Sequence, residues 1–143
     1  MEYISNSEQD TKNIGKELTK NLQGGDILCL YGDLGAGKTA LTKGIAEGLG
    51  IKEDITSPTF TLMNIYLIKN SKLKTQKLVH IDTYRLENEK QLVEIGAEDY
   101  LGAPDTVCVI EWPEKIEGLL IGKVIKTIQI KNQGQDERKI IAD

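Results

Sequence analysis

The segment Gly32-Asp33-Leu34-Gly35-Ala36-Gly37-Lys38-Thr39 constrains the fold more than any other part of the chain. It matches G-x-x-x-x-G-K-[ST] in full, the pattern of a loop that wraps phosphates between a buried strand and a helix. Glycines let backbone N–H groups approach phosphate oxygens with no Cβ in the way. The helix starting near Lys38 adds unpaired N–H groups and the positive end of its dipole. The Lys38 ammonium would bridge the β- and γ-phosphates, and the Thr39 hydroxyl would ligate Mg²⁺. Both flanks agree with this reading. Ile27–Tyr31 is an unbroken apolar run, as in a strand buried on both faces, and Leu41, Ile45 and Leu49 recur on one helical face. The expectation is a site for a purine nucleoside triphosphate with magnesium.

The rest of the chain alternates helix and strand signals. Ser7 is placed to cap a helix, with Asp10 as its partner, and Ile14, Leu18 and Leu22 form one stripe before Gly24-Gly25. Gly50 would close the helix that follows the loop. Thr56-Ser57-Pro58 precedes a strand expected over Phe60–Ile68, and Asn70-Ser71-Lys72 reads as a turn. Leu78–Ile81 and Thr106–Ile110 are apolar strands, with one or two short helices between them over Glu87–Tyr100, broken at Gly96. Val124–Ile130 and Lys139–Ile141 flank a turn and predict an antiparallel pair at one edge. The pattern predicts an α/β protein: a P-loop NTPase-like three-layer fold with a mixed central sheet and an antiparallel edge. Residues 1–143 are read as a single domain of ordinary length.

Two strands end in acids, Asp82 after Leu78–Ile81 and Glu111 after Val107–Ile110. A carboxylate is poorly placed in a dry sheet unless it meets a cation or water. Ligands of α/β sheets sit at the carboxyl ends of strands, where both acids and the glycine-rich loop fall. Either acid would suit the magnesium of a P-loop nucleotidase; the bland reading is that each caps the turn that follows. The formal charge of −4, from 18 basic and 22 acidic residues, gives no strong field for holding nucleic acid unaided. No apolar stretch approaches the roughly 20 residues of a membrane span, and the polar N-terminus lacks signal-peptide character. Cys29 and Cys108 lie inside apolar runs and read as inert buried thiols, which suits a reducing cytoplasm.

Four segments occur in order: the loop at 32–39, Thr-Ser-Pro-Thr-Phe-Thr-Leu at 56–62, His-Ile-Asp-Thr-Tyr-Arg-Leu at 80–86 and Ile-Glu-Trp-Pro-Glu at 110–114. Together they resemble the TsaE (YjeE) family, the bacterial ATPases of tRNA threonylcarbamoyladenosine synthesis, over nearly the whole chain. The resemblance implies an ATPase, weak alone, that joins the TsaD and TsaB proteins and resets their complex between cycles. It implies contact with tRNA through that complex rather than directly. Carried over position by position, Gly35, Ala36, Gly37, Lys38, Thr39 and Ala40 would bind ATP, and Glu8 and Thr11 would meet its base. Thr39 and Glu111 would hold Mg²⁺, and Asp82 would position water, so that Lys38, Asp82 and Glu111 form the catalytic set. Ser57 and Thr59 would belong to a switch-like loop, with His80 and Trp112 supporting the site. Ile81 and Thr83 depart from the Phe and Leu that commonly flank the family's aspartate, and Thr83 puts only local packing in question.

His80, the chain's one histidine, is read as a hydrogen-bonded structural residue. Tyr84 and Arg85 fit either a ligand contact or packing. Arg138 fits either a nucleotide contact or an exposed strand arginine. Lys69, Lys72, Lys74 and Lys77 read as a solvated hairpin tip, with contact to tRNA or an acidic partner as the sharper alternative. Two other functions compete: a small-molecule kinase, which would need more than Arg85 and Arg138 to neutralise the transferred group, and a non-hydrolysing switch.

Overall fold

The computed structural model describes residues 1–58, 60–69 and 74–143. In chain order the elements are β1 (Glu2–Ser5), α1 (Glu8–Leu18), β2 (Ile27–Tyr31), α2 (Lys38–Gly48), β3 (Met63–Leu67), β4 (Lys77–Asp82), α3 (Lys90–Glu94), β5 (Thr106–Glu111), α4 (Glu117–Leu120), β6 (Lys126–Asn132) and β7 (Arg138–Ala142). The seven strands form one sheet in the order β1-β7-β6-β2-β5-β4-β3. Its centre is parallel, through β6–β2, β2–β5 and β5–β4, and its two flanks are antiparallel.

The apolar runs are buried on both faces, as expected of a central parallel sheet. Leu28, Leu30, Leu78, Val107 and Val109 face α1 and α2, meeting Ile14, Leu41 and Ile45. Ile27, Cys29, Val79, Ile81, Cys108 and Ile110 face the other way, under Leu92, Leu101, Ile116 and Leu120. These are the three layers. Burial raises the Cys29 thiol to about 11 and the Cys108 thiol to about 12, so both are unreactive near neutrality. Among the described residues no helix is long and apolar enough to cross a membrane.

Helices α1 and α2 touch backbone to backbone through glycine. A Cβ on Gly44 would lie 2.0 Å from the Lys12 carbonyl oxygen, and one on Gly15 would lie 2.5 Å from that of Leu41. Gly44→Ala must therefore push the two helices apart. The expected loss is about 2–4 kcal/mol, read as a lower urea midpoint at unchanged slope.

Several boundaries differ from the sequence reading for local reasons. The strand expected from Phe60 begins at Met63, because the chain turns first: Leu62 donates to the Pro58 carbonyl at 2.7 Å and has φ +68°. The strand expected from Val124 starts at Lys126, and Val124 is 88% exposed. Ser7 caps α1 by accepting from the Asp10 N–H, while the Asp10 carboxylate reaches back to the Asn6 N–H. Strand β1 had no sequence signal. It exists because β7 offers an unpaired edge, with Tyr3 opposite Ile140. The turn at 70–72 and residue Thr59 lie outside the described residues.

Candidate functional site

Strand β2 delivers the chain into the glycine-rich loop, and α2 carries it away. Gly35 (φ +79°) and Gly37 (φ +106°) adopt the left-handed conformation that side chains disfavour. Gly37 caps α2, whose first residue is Lys38. The Lys38 side chain is 5% exposed. Its Nζ donates to the Gly32 carbonyl at 2.7 Å and lies 3.4 Å from the centroid of the Trp112 ring. Desolvation lowers its pKa, opposed by the negative charges of Glu111, Asp82, Glu114 and Asp33. A buried ammonium with one carbonyl and one ring for partners among the described residues is under-satisfied, and an anion would suit it better.

The two strand-end acids are neighbours. Asp82 and Glu111 are register partners at the ends of β4 and β5, and both are nearly buried. Asp82 accepts from the Ser57 hydroxyl at 2.9 Å and from the Tyr84 N–H at 2.9 Å. Glu111 Oε2 lies 2.5 Å from Nε2 of the fully buried His80. The other ring nitrogen, Nδ1, has no hydrogen-bond partner among the described residues. His80 is thus hydrogen-bonded to Glu111 inside the sheet. Trp112 follows with φ +62°, which turns its ring over Lys38 and against Tyr84, 5.1 Å between centroids.

Thr83 does more than fill space. Its buried hydroxyl points at the carbonyls of Glu111 (3.1 Å) and Trp112 (2.5 Å), pinning the end of β4 to the turn that carries both residues. A leucine could not make this bond. No periodicity marks such a contact, and a polar residue beside a strand-end acid was its one visible signal.

A cleft of about 450 Å³ opens over these groups, lined by Gly35, Gly37, Lys38, Thr39, Ser57, Asp82, Glu111 and Trp112 among others. A second cleft of about 280 Å³ shares Gly35 and Gly37 with it and is lined by Glu8, Thr11, Ala40 and Arg138. The structure thus gathers most of the predicted residues into two adjoining clefts on the loop, with Ala36 and His80 outside both linings. Thr11 spends its hydroxyl internally, 2.7 Å from that of Ser5. Ala36 is buried and lines neither cleft; its carbonyl accepts from Arg138. Arg85 lies 5.0 Å from the Phe60 ring at the rim. Lys77 opens β4, at the opposite end from Asp82, and pairs with Asp105 at 3.4 Å, while Lys69 and Lys74 are exposed and Lys72 lies outside the described residues.

Among the described residues no three His, Cys, Asp or Glu side chains converge as a metal site. The donors at the main cleft, the Thr39 hydroxyl and the carboxylates of Glu111 and Asp82, are hard oxygens. That set fits Mg²⁺, which is ordinarily bound through one or two carboxylates together with substrate phosphates and water.

Strand, glycine-rich loop and helix, at the carboxyl edge of a mixed sheet layered on both faces, define an α/β protein of the P-loop fold class. The crystal structure of Bacillus subtilis YdiB superposes with a TM-score of 0.78 at 36% identity, covering 99% of this chain and 83% of that one. Residues 5–140 match the family described as threonylcarbamoyl adenosine biosynthesis protein TsaE. The tRNA threonylcarbamoyladenosine biosynthesis protein TsaE of Treponema pallidum is 39% identical over 140 residues, 98% of either chain. The protein of the same name from Bacillus subtilis is 42% identical over 132 residues, 92% of this chain and 78% of that one. The chain belongs to the TsaE family.

Proposed function

We propose that this chain is a Mg²⁺-dependent ATPase of the tRNA threonylcarbamoyladenosine machinery, acting with TsaD and TsaB to reset the transferase complex. One observation carries the ATPase reading: a glycine-rich loop with its buried lysine opens on the same cleft as two neighbouring buried carboxylates. The pathway follows from the family. With both TsaD and TsaB and tRNA, ATP hydrolysis is expected to rise well above that of the chain alone. No response to any combination would count against the reading.

In this proposal the triphosphate lies along Gly35–Thr39, and the first-turn N–H groups of α2 face its oxygens. Lys38 leaves the Gly32 carbonyl for the β- and γ-phosphates, and the Trp112 ring limits how far it swings. Thr39 and Glu111 would hold the magnesium ion, which when bound offsets phosphate charge and polarises the γ-phosphoryl group. His80 keeps Glu111 oriented from behind. Asp82, fixed by Ser57 and the Tyr84 N–H, would hold the attacking water. Its bond to Ser57 ties residues 56–58 to the site, so that this segment would sense the γ-phosphate. The base would lie in the adjoining cleft beside Glu8, Thr11 and Ala40.

The kinase alternative loses support from the arginines. Arg85 and Arg138 are the chain's two arginines; Arg85 lines the main cleft, while Arg138 is tied to the Ala36 and Glu137 carbonyls, so one guanidinium rather than a cluster is left to neutralise a transferred group. With a net charge of −4, the chain would meet tRNA through its partners.

A further inference from the structure

We propose that Arg138 is a positioning residue of the phosphate loop, holding the Ala36–Gly37 peptide so that the Gly37 N–H faces the triphosphate. The inference rests on the nucleotide-binding reading above and adds a residue to it from the far end of the chain.

Arg138 opens β7, yet its Nε–H donates to the Ala36 carbonyl at 3.1 Å, across 102 residues of sequence. Its Nη1 is within reach of Asn132 Oδ1 (3.1 Å) and the carbonyls of Glu137 (3.0 Å) and Gly134 (3.4 Å). The guanidinium is therefore fixed to the β6–β7 hairpin on one side and to the loop on the other. A planar fork can do this; a point charge on a flexible stem cannot hold both sides at once.

The consequence follows from peptide geometry. In a trans peptide the C=O and N–H point in opposite directions. Drawing the Ala36 carbonyl toward Arg138 turns the N–H of Gly37 the other way. Gly37 has φ +106°, and as a glycine it tolerates either orientation of the preceding peptide at little steric cost. The loop's own sequence thus leaves this unit able to rotate, and Arg138 selects one setting. The bond also places a positive charge at the carbonyl end of that peptide, which makes its N–H a better donor to an anion.

This role differs from direct contact with the nucleotide, although Arg138 also lines the second cleft. A base or ribose contact would affect ATP but not inorganic tripolyphosphate. A loop-positioning residue affects both. For full-length Arg138→Met, calorimetry should show affinity for ATP, ADP and tripolyphosphate reduced together, by roughly tenfold or more. In ¹⁵N spectra of the nucleotide-free protein the Gly37 amide should shift and broaden in the variant. Arg138→Lys should bind with intermediate affinity, and it carries the test if the methionine variant does not fold. Unchanged tripolyphosphate affinity, or an unmoved Gly37 amide, in a folded variant would overturn the proposal. If wild type binds no nucleotide, the ATPase reading fails, while the Gly37 amide still decides the role of Arg138.

Discussion

Replacing Lys38 with methionine is expected to weaken ATP binding by roughly a hundredfold or more, because two charge-assisted bonds to phosphate are lost at ~1.5–3 kcal/mol each. Titration calorimetry with Mg·ATP measures it. The fold should survive. The ammonium is buried with one carbonyl acceptor and one aromatic face, so desolvation already works against its charge. A methionine stem of similar length can pack under Trp112 without that cost. The expected signature is therefore lost affinity at equal or higher melting temperature. A methionine variant that binds ATP as tightly as wild type would remove the lysine from the site.

The second large effect is expected at Glu111. Glu111→Gln keeps the side chain's shape and an oxygen able to accept from His80, but removes the negative charge proposed to hold Mg²⁺. Turnover in the presence of the partner proteins should fall by about a hundredfold, a loss typical of removing one electrostatic contributor to a transition state. ATP binding without magnesium should change little. The same variant separates hydrolysis from switching. If it binds ATP and its partners, fails to hydrolyse, and still supports tRNA modification, the chain acts as a switch and the ATPase role falls. The equivalent change at Asp82 has a less clean reading, since Asp82→Asn would also disturb the bonds from Ser57 and Tyr84.

Much of the fold was legible because its signals are local. An unbroken apolar run such as Ile27–Tyr31 announces a strand buried on both faces, and Leu41, Ile45 and Leu49 announce a helix with one buried side. The Ser7 cap worked because a side chain three residues from its N–H needs nothing else. Errors gathered where propensity and tertiary context disagreed. Phe60 and Val124 favour strands intrinsically, yet one sits in a turn and the other is exposed before β6 begins. Strand β1 is four residues long, too short for any period to show.

The chain's sequence by itself determined the glycine-rich loop, the buried strand and helix that frame it, and an acid at each of two strand ends. Each is set by residues a few positions apart, where backbone sterics and hydrophobic period act directly. Only the tertiary structure decided that Asp82 and Glu111 stand side by side, since that depends on β4 pairing with β5 in one register. It alone placed His80 on the back of Glu111, Thr83 under the Trp112 turn, and Arg138 against the Ala36 carbonyl. These contacts join segments 29 to 102 residues apart. No local pattern encodes them, because they form only when the sheet order has brought separate strand ends to one edge.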